Sequence, residues 1–251
     1  MSKLTDKTAV VTGASKGIGA AIARHFAAAG AKVVVNYASS KEDADKVVKS
    51  ITDDGGAAVA IQGDVSKKEE VIRLFEETKN TFGGLDILVN NAGIYDYLPV
   101  EQITEESFHR QFNINVLGSI FTIQESLKLF GEKGGNIINI SSGASKSPLP
   151  TGSVYSATKT ALDALTVSLS KEFSGRNIRI NSILPGIVET EGSSAAGFIG
   201  SEAEAKFVAN TPLGRTGQPD DIAKAVVFIA SDDAGWITGE LISVSGGVFG
   251  F

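Results

Sequence analysis

The stretch Thr8–Gly19 reads TAVVTGASKGIG and joins a β-branched apolar run to a turn that contains three glycines. The run predicts a buried strand, and the residues from Gly17 onward predict a helix. Glycines let the backbone turn sharply and approach a pyrophosphate, whose charge is stabilised at a helix N-terminus. The spacing G-x-x-x-G-x-G differs from the commoner G-x-G-x-x-G, and there is no Gly-Lys-Ser/Thr of a phosphate loop. Because this turn follows a first strand, it predicts a dinucleotide-binding fold.

The alternation of strand and helix patterns continues almost to the C-terminus. The predicted strands are Thr8–Thr12, Lys32–Tyr37, Ala57–Gln62, Leu85–Asn90, Asn136–Ile140, Ile178–Leu184 and Leu241–Val244. The predicted helices are Gly17–Ala29, Lys41–Asp54, Lys67–Phe82, Thr104–Phe130, Ser153–Phe173 and Asp220–Ser231. Near-continuous apolar strands separated by helices indicate a parallel sheet that is covered on both faces. We therefore expect an α/β fold with a doubly wound, seven-stranded parallel sheet, and a single domain over residues 1–251, because no linker or repeat divides the sequence.

The composition excludes several kinds of site and partner. Because the sequence has no cysteine, disulfides, thiol catalysis and thiolate metal sites are excluded, and no metal site is expected. A formal net charge of −6, with acids and bases interspersed, argues against nucleic acid and membranes as partners. There is no long apolar run and no signal-peptide pattern at the N-terminus, so a cytoplasmic protein is expected.

Tyr155 and Lys159 lie four residues apart in one predicted helix, and Ser142 precedes them in the run Asn139–Ser142. Residues with this spacing lie on the same helix face, with Cβ atoms about 5–6 Å apart. A fixed cation beside a phenol stabilises the phenolate and lowers a pKa that is otherwise about 10. Such a pair can protonate a developing alkoxide or take a proton from an alcohol. An isolated Y-x-x-x-K is more often a pair of surface residues, so the other motifs must decide between the two interpretations.

The end of the second predicted strand bears on cofactor choice. NAD enzymes usually place an acidic residue there to bind the ribose 2′-hydroxyl, whereas this sequence has Asn36. No carboxylate would repel a 2′-phosphate, and the nearby groups able to donate hydrogen bonds to it are those of Lys16, Ser39, Ser40 and Lys41. The sequence therefore favours NADP(H), with NAD(H) possible.

Two further strand ends carry polar or small residues. Asp64 and Val65 follow the third strand, where an aspartate can accept a hydrogen bond from an adenine amino group. The fourth strand ends in Asn90–Gly93, NNAG, whose small residues permit close packing against a flat ligand. Taken alone, each is equally typical of a loop cap.

Together these motifs resemble the short-chain dehydrogenase/reductase family in its single-domain form, including 3-oxoacyl carrier-protein reductases and related ketone reductases. The matching segments are Thr12–Gly19, Asp64-Val65, Asn90–Gly93, Asn115 in NVLG, Ser142, Tyr155-x-x-x-Lys159, and Pro185-Gly186 with Thr190. They occur in family order and extend over nearly the whole chain.

The resemblance implies catalytic roles for four residues. Tyr155 would be the acid/base, and Lys159 would bind the nicotinamide ribose and lower the pKa of the phenol. Ser142 would donate a hydrogen bond to the substrate oxygen. Asn115 would kink its helix and hold a water for proton relay.

The resemblance also implies two sets of contacts. The residues expected at the cofactor are Gly13, Ser15, Lys16, Gly17, Ile18, Gly19, Asn36, Tyr37, Ala38, Ser39, Asp64, Val65, Asn91, Ala92, Gly93, Tyr155, Lys159, Pro185, Gly186, Ile187 and Thr190. Those expected at a small carbonyl or alcohol substrate are Ser142, Ile94, Tyr95, Ala144, Leu149, Tyr155 and Val188.

The remaining expectations concern the lid and the assembly. The Gly-, Ser- and Ala-rich stretch Glu191–Asn210 predicts a loop that closes over the substrate, in a mobile lid around residues 190–211. The resemblance implies a homotetramer, although Ser245 stands where many relatives carry aspartate. The terminal Val248–Phe251 is expected to reach a neighbouring subunit's site.

We expect an NADP(H)-dependent reductase of ketones, with 3-oxoacyl thioesters as one substrate class. One alternative is an NAD-dependent sugar or alcohol dehydrogenase. Another, of a different class, is a nucleotide-sensing binding protein without turnover. The Ser142, Tyr155 and Lys159 set argues against the binding protein, since a sensor has no need of a phenol beside a fixed ammonium.

Overall fold

A single parallel sheet forms the centre of the computed structural model, which describes residues 3–195 and 197–248. Within these residues its strands are β1 Thr8–Val11, β2 Lys32–Tyr37, β3 Ala57–Gln62, β4 Ile87–Asn90, β5 Gly135–Ile140, β6 Ile178–Pro185 and β7 Leu241–Val244. Their order is β3-β2-β1-β4-β5-β6-β7, and each neighbouring pair is parallel. The chain therefore moves outward from β1 in one direction and then in the other. This is the doubly wound Rossmann arrangement in one domain, and the predicted fold class is confirmed.

Helices cover both faces of the sheet. They are α1 Gly17–Ala28, α2 Lys41–Asp53, α3 Lys68–Phe82, α4 Glu105–Phe112, α5 Gly118–Leu129, α6 Ser153–Glu172, α7 Glu191–Ala195, α8 Glu202–Ala209 and α9 Pro219–Ala230. In β1, Ala9 and Val11 pack into the core formed with α1, α2 and α9, whereas Val10 packs into the core formed with α3 and α5. Successive strand residues point to opposite faces of the sheet. Because helices cover both faces, the strand residues on both faces must be apolar. Among the described helices, none combines the length and hydropathy needed to cross a lipid bilayer.

The predicted continuous helix Thr104–Phe130 is wrong in one respect. The structure has α4, then a π-helical turn at Asn113–Leu117, then α5. The turn contains Asn115, whose side chain both donates to and accepts from the backbone of Ile94, at 2.8 and 2.9 Å. A π-turn widens the helix locally and re-aims the residues within it, and such turns are frequent at functional sites.

The predicted lid loop Glu191–Asn210 is also more ordered than expected, because it contains α7 and α8. The start of α8 is capped by Ser201, whose Oγ accepts a hydrogen bond from the Glu204 N–H at 3.2 Å. The Glu204 carboxylate in turn accepts from the Gly200 N–H at 2.6 Å. This Ser-x-x-Glu pattern is a helix-start signal that is visible in the sequence.

Candidate active site

A cavity of about 390 Å³ opens at the carboxyl edge of the sheet, beside the point where the strand order reverses. Most residues predicted to contact a cofactor line it, namely Gly13, Ser15, Lys16, Gly17, Ile18, Gly19, Asn36, Tyr37, Ala38, Ser39, Asp64, Val65, Asn91, Ala92, Gly93 and Thr190. Reversal of strand order opens a crevice at this edge, which is where doubly wound sheets bind ligands. The cavity is therefore the candidate dinucleotide site.

The glycine turn after β1 leaves room that a side chain would fill. Gly13 and Gly17 have φ angles of +60° and +55°, which L-residues with side chains rarely adopt. A Cβ on Gly13 would lie 2.9 Å from the Ala92 Cα, so the two strand-end loops can meet only if glycine is present. The first turn of α1, from Gly17 to Gly19, lines the cavity with no large side chain in front of it. This cradle fits a pyrophosphate.

Two charged residues beside the cradle have partners within the chain. The Gly17 N–H donates a hydrogen bond to the Glu191 carboxylate at 3.0 Å. The Lys16 ammonium lies 2.9 Å from the Asp43 carboxylate, and this ion pair raises the pKa of Lys16. Glu191 and its neighbour Gly192 line the cavity, and sequence reasoning missed both as cofactor-site residues. No local pattern connects position 191 to Gly17, so only the fold reveals this contact.

Asn36 lies in the cavity wall, but its side-chain atoms bind the backbone. The amide group donates to the carbonyls of Ile61 and Gly63 at 3.3 and 3.0 Å, and its oxygen accepts from the Gly13 N–H. The residue is 1% exposed. Asn36 therefore ties the end of β2 to the turn after β1 and to the end of β3, and the first exposed position after β2 that borders the cavity is Ala38.

Ser142, Tyr155 and Lys159 converge from two elements. Ser142 follows β5, and its hydroxyl lies beside Tyr155, which belongs to the first turn of α6. The Lys159 ammonium lies 5.7 Å from the centre of the Tyr155 ring and donates to the Ile140 carbonyl at 2.9 Å. The structure thus brings a hydroxyl, a phenol and an amine together, as the helical spacing of Tyr155 and Lys159 predicted for two of them.

The pKa values of this pair differ from the expectation of a lowered phenol pKa. Tyr155 keeps part of its surface exposed, yet burial of its hydroxyl raises its pKa above the ordinary value, and the nearby Ser142 hydroxyl offsets only part of this. Burial also lowers the pKa of Lys159 to about 8, while the nearby Asp163 carboxylate opposes that change. The expected lowering of the Tyr155 pKa is therefore wrong for the chain by itself. Desolvation of the phenol outweighs the attraction of the Lys159 ammonium, which is hydrogen-bonded to the Ile140 carbonyl.

Asn115 contacts the same cluster from the π-turn. Its amide donates to Thr158 Oγ1 on α6 at 3.0 Å, in addition to its contacts with Ile94. A Cβ on Gly93 would lie 3.3 Å from Asn115 Oδ1 and 3.5 Å from Lys159 Nζ. The absence of a side chain at Gly93 therefore leaves room for both polar groups next to the cavity wall.

The remaining predicted residues lie at or near the cavity, in buried positions, or at a second cavity. Ile94 lines the cavity, and Tyr95 and Leu149 are exposed nearby, with Tyr95 6.0 Å from Tyr155 between ring centres. Ala144 and Val188 are buried and offer little surface to a substrate. Pro185 ends β6, and Gly186 and Ile187 line a separate cavity of about 220 Å³. The expected contact of Val248–Phe251 lies partly outside the described residues, which end at Val248.

Comparisons with known proteins match nearly the whole chain. A family model described as enoyl-(acyl carrier protein) reductase matches residues 13–249. An uncharacterized oxidoreductase of Methylorubrum extorquens is 56% identical, over 99% of this chain and 100% of its own. Versicolorin reductase of Emericella nidulans is 38% identical, over 98% of this chain and 97% of its own. The structure of the angucycline C-6 ketoreductase LanV with bound NADP has a TM-score of 0.92 at 38% identity, covering 99% of this chain and 98% of LanV.

A glycine cradle beside a serine–tyrosine–lysine cluster is thus found in a chain that matches these oxidoreductases over nearly its full length. The protein belongs to the short-chain dehydrogenase/reductase family and is an NAD(P)-dependent oxidoreductase.

Proposed function

We propose that this enzyme interconverts a ketone and a secondary alcohol with NADP(H), and that Tyr155 donates or accepts the proton. The observation that carries the proposal is the Ser142 hydroxyl beside Tyr155, with the Lys159 ammonium 5.7 Å from the phenol ring. Bound cofactor supplies or accepts the hydride. The chain supplies the proton and the electrostatic environment of the substrate oxygen.

Each residue of the cluster has a role in this scheme. Ser142 Oγ donates a hydrogen bond to the substrate oxygen and stabilises the charge that develops there. Tyr155 Oη gives its proton to that oxygen, and its raised pKa keeps it protonated at neutral pH, the form that reduction requires. Lys159 stabilises the resulting phenolate and binds the ribose of the cofactor. Asn115 positions Ile94 and Thr158 beside Lys159, and its water relay stays a prediction.

The cofactor preference depends on the exposed edge of the cavity. No carboxylate follows β2 there, and Ala38, Ser39 and Ser40 line the wall. Lys16 is half exposed and can turn from Asp43 toward a 2′-phosphate. The absence of a carboxylate at residues 38–40, together with the serine and lysine donors, favours NADP(H), and the bound NADP of LanV supports the same choice. NAD(H) with an alcohol or sugar is the second candidate.

Assays of turnover separate the candidates. We expect the purified enzyme to oxidise NADPH faster than NADH, followed by absorbance at about 340 nm, when given a ketone or a 3-oxoacyl thioester. Reduction of NAD by a sugar, with no reaction on ketones, would support the alternative. Binding of NADPH by calorimetry without turnover of any of these substrates would instead support a nucleotide-sensing protein.

The proposal extends to the lid and the assembly. The segment 190–211 is proposed to close over the substrate through α7 and α8, since α7 contacts both the cradle through Glu191 and the Tyr95 side. A homotetramer and a cytoplasmic location stay predictions from the family resemblance and the sequence. Light scattering on the purified protein measures the subunit number directly.

A further inference from the structure

Three tyrosine rings form one aromatic cluster at the proposed acid. The ring centres of Tyr95 and Tyr97 are 5.7 Å apart, and they lie 6.0 and 6.1 Å from that of Tyr155. Tyr95 is 41% and Tyr97 47% exposed, so large parts of both rings face open space. Exposed apolar surface beside a reactive group is typical of a ligand-binding wall. Sequence reasoning predicted Tyr95 at the substrate but missed Tyr97.

The backbone holds the two exposed rings in place. Ile94 is bonded through both its main-chain groups to Asn115, and the Leu98 N–H donates to the Thr151 carbonyl at 2.8 Å. Between the tyrosines, the Asp96 carboxylate accepts from Arg110 of α4 at 3.0 Å. Asp96 thus turns toward α4 while its two neighbours turn toward Tyr155. This alternation presents Tyr95 and Tyr97 as one rigid surface that need not be ordered on binding.

Two glycines pack against the two ends of this surface. A Cβ on Gly152, just before α6, would lie 3.0 Å from a ring carbon of Tyr97. A Cβ on Gly192, in α7, would lie 3.2 Å from the Tyr95 hydroxyl oxygen. The rings therefore extend from the start of the catalytic helix to the proposed lid, a span suited to a flat molecule larger than one ring.

The aromatic character of this surface determines which uncharged ketones it can bind most tightly. Of the charged groups beside it, Asp96 is paired with Arg110, and Lys159 is buried behind the Tyr155 ring at 5% exposure. An aromatic ligand gains edge-to-face or offset stacking with such rings, whereas a saturated ring of the same outline gains only apolar contact. We propose that Tyr95 and Tyr97 form an aromatic platform that makes the enzyme selective for ketones carrying a fused aromatic ring. This inference rests on the proposed function and specifies its substrate class.

A pair of matched ketones tests the platform. In 2-tetralone the carbonyl is not conjugated to the aromatic ring, so 2-decalone is a saturated analogue with a comparable carbonyl. With NADPH, we expect kcat/KM to be about 3- to 10-fold higher for 2-tetralone, mainly through a lower KM. Tyr95→Leu and Tyr97→Leu should each reduce this ratio, and the double variant should bring it close to one. Tyr95→Phe and Tyr97→Phe should keep it, because the rings rather than the hydroxyls carry the selectivity.

A matched control removes an aromatic ring elsewhere. Phe108 of α4 is 40% exposed, close to the value for Tyr95, and stacks on Phe112 rather than on Tyr155. Phe108→Leu should leave the ratio unchanged. A ratio that persists in the Tyr95→Leu/Tyr97→Leu double variant, or that falls equally in Phe108→Leu, would overturn the platform.

Calorimetry makes the test independent of turnover. The NADPH-loaded parent should bind 2-naphthol about 3- to 10-fold more tightly than decahydro-2-naphthol, and the double variant should lose this difference. Equal affinities in the parent would overturn the inference even if both ketones are reduced. A clear difference in binding without reduction of either ketone would uphold the platform and count against the proposed function instead.

Discussion

The Glu191 carboxylate accepts a hydrogen bond from the Gly17 backbone N–H at 3.0 Å, although 174 positions separate the two residues. This contact places a negative charge at the first turn of α1 and joins α7 to the glycine cradle. A helix N-terminus stabilises an anion, whether it is a carboxylate or a phosphate. A pyrophosphate bound in the cradle would therefore compete with Glu191 for the Gly17 N–H.

Glu191→Gln should consequently bind NADPH more tightly. Removal of one competing negative charge at the helix terminus is expected to lower the Kd roughly 2- to 5-fold, with a smaller gain at high salt. Fluorescence titration of NADPH measures this. Glu189→Gln is the matched control, because the Glu189 carboxylate binds Gln218 at 2.8 Å instead of α1. Equal Kd values for parent and Glu191→Gln would show that the carboxylate does not oppose the cofactor.

Tyr155→Phe should lower kcat by about 10²-fold or more, since the proposed proton donor is lost while the ring remains. The ring contacts with Tyr95 and Tyr97 do not require the hydroxyl, so the melting temperature and the NADPH affinity should change little. Steady-state kinetics on one ketone give the comparison. A variant with near-parental kcat would remove Tyr155 from the acid/base role.

Asp163→Asn should move the alkaline limb of activity to lower pH. Asp163 lies one turn beyond Lys159, is 5% exposed, and opposes the burial that lowers the pKa of Lys159 to about 8. Without this carboxylate the pKa of Lys159 falls further, so the ammonium loses its proton at a lower pH. We expect activity at about pH 9, relative to the maximum, to drop roughly threefold or more.

The pH profile of kcat for parent and variant is the measurement. Ser145→Ala serves as the control, because it removes the 2.5 Å hydrogen bond from Ser145 to Asp163 but keeps the carboxylate. Its alkaline limb should stay near that of the parent. Superimposable profiles for parent and Asp163→Asn would show that Asp163 does not hold the proton on Lys159.

Ala38→Asp should shift cofactor preference toward NADH. Ala38 is exposed at the cavity edge directly after β2, so a carboxylate there would repel a 2′-phosphate. The ratio of kcat/KM for NADPH over NADH should fall about tenfold or more. Ala38→Asn adds the same bulk without charge and should keep the parental ratio. An unchanged ratio in Ala38→Asp would count against NADP(H) binding at this edge.

Asn36→Asp, which the sequence alone suggests for the same purpose, should mainly reduce stability. An aspartate cannot donate to the carbonyls of Ile61 and Gly63, so two buried acceptors lose a side-chain donor. The free energy of unfolding in urea should fall by about 1–3 kcal/mol. A stable Asn36→Asp variant that prefers NADH would show that residue 36, and not residue 38, determines the cofactor preference.

Much of the fold could be predicted from the sequence because its signals are local. The strands β2 and β3 have the predicted bounds, since runs such as Lys32–Tyr37 are apolar on both faces and only a covered sheet satisfies them. The shared face of Tyr155 and Lys159 follows from helical spacing alone. The start of α8 carried a local signal as well, in Ser201 and Glu204, which sequence reasoning overlooked.

Contacts between distant segments were decided only by tertiary structure. The π-turn at Asn115, the tie between Glu191 and Gly17, and the inward turn of Asn36 each depend on a partner far away in the chain. The pKa values of Tyr155 and Lys159 also required the fold, because desolvation is set by all the atoms that pack around a group. The sequence by itself thus determined the layered α/β sheet and the identity of its reactive pair, since both follow from periodicity along the chain. Only the folded chain decided which groups surround that pair, because proximity between remote residues is not encoded in local spacing.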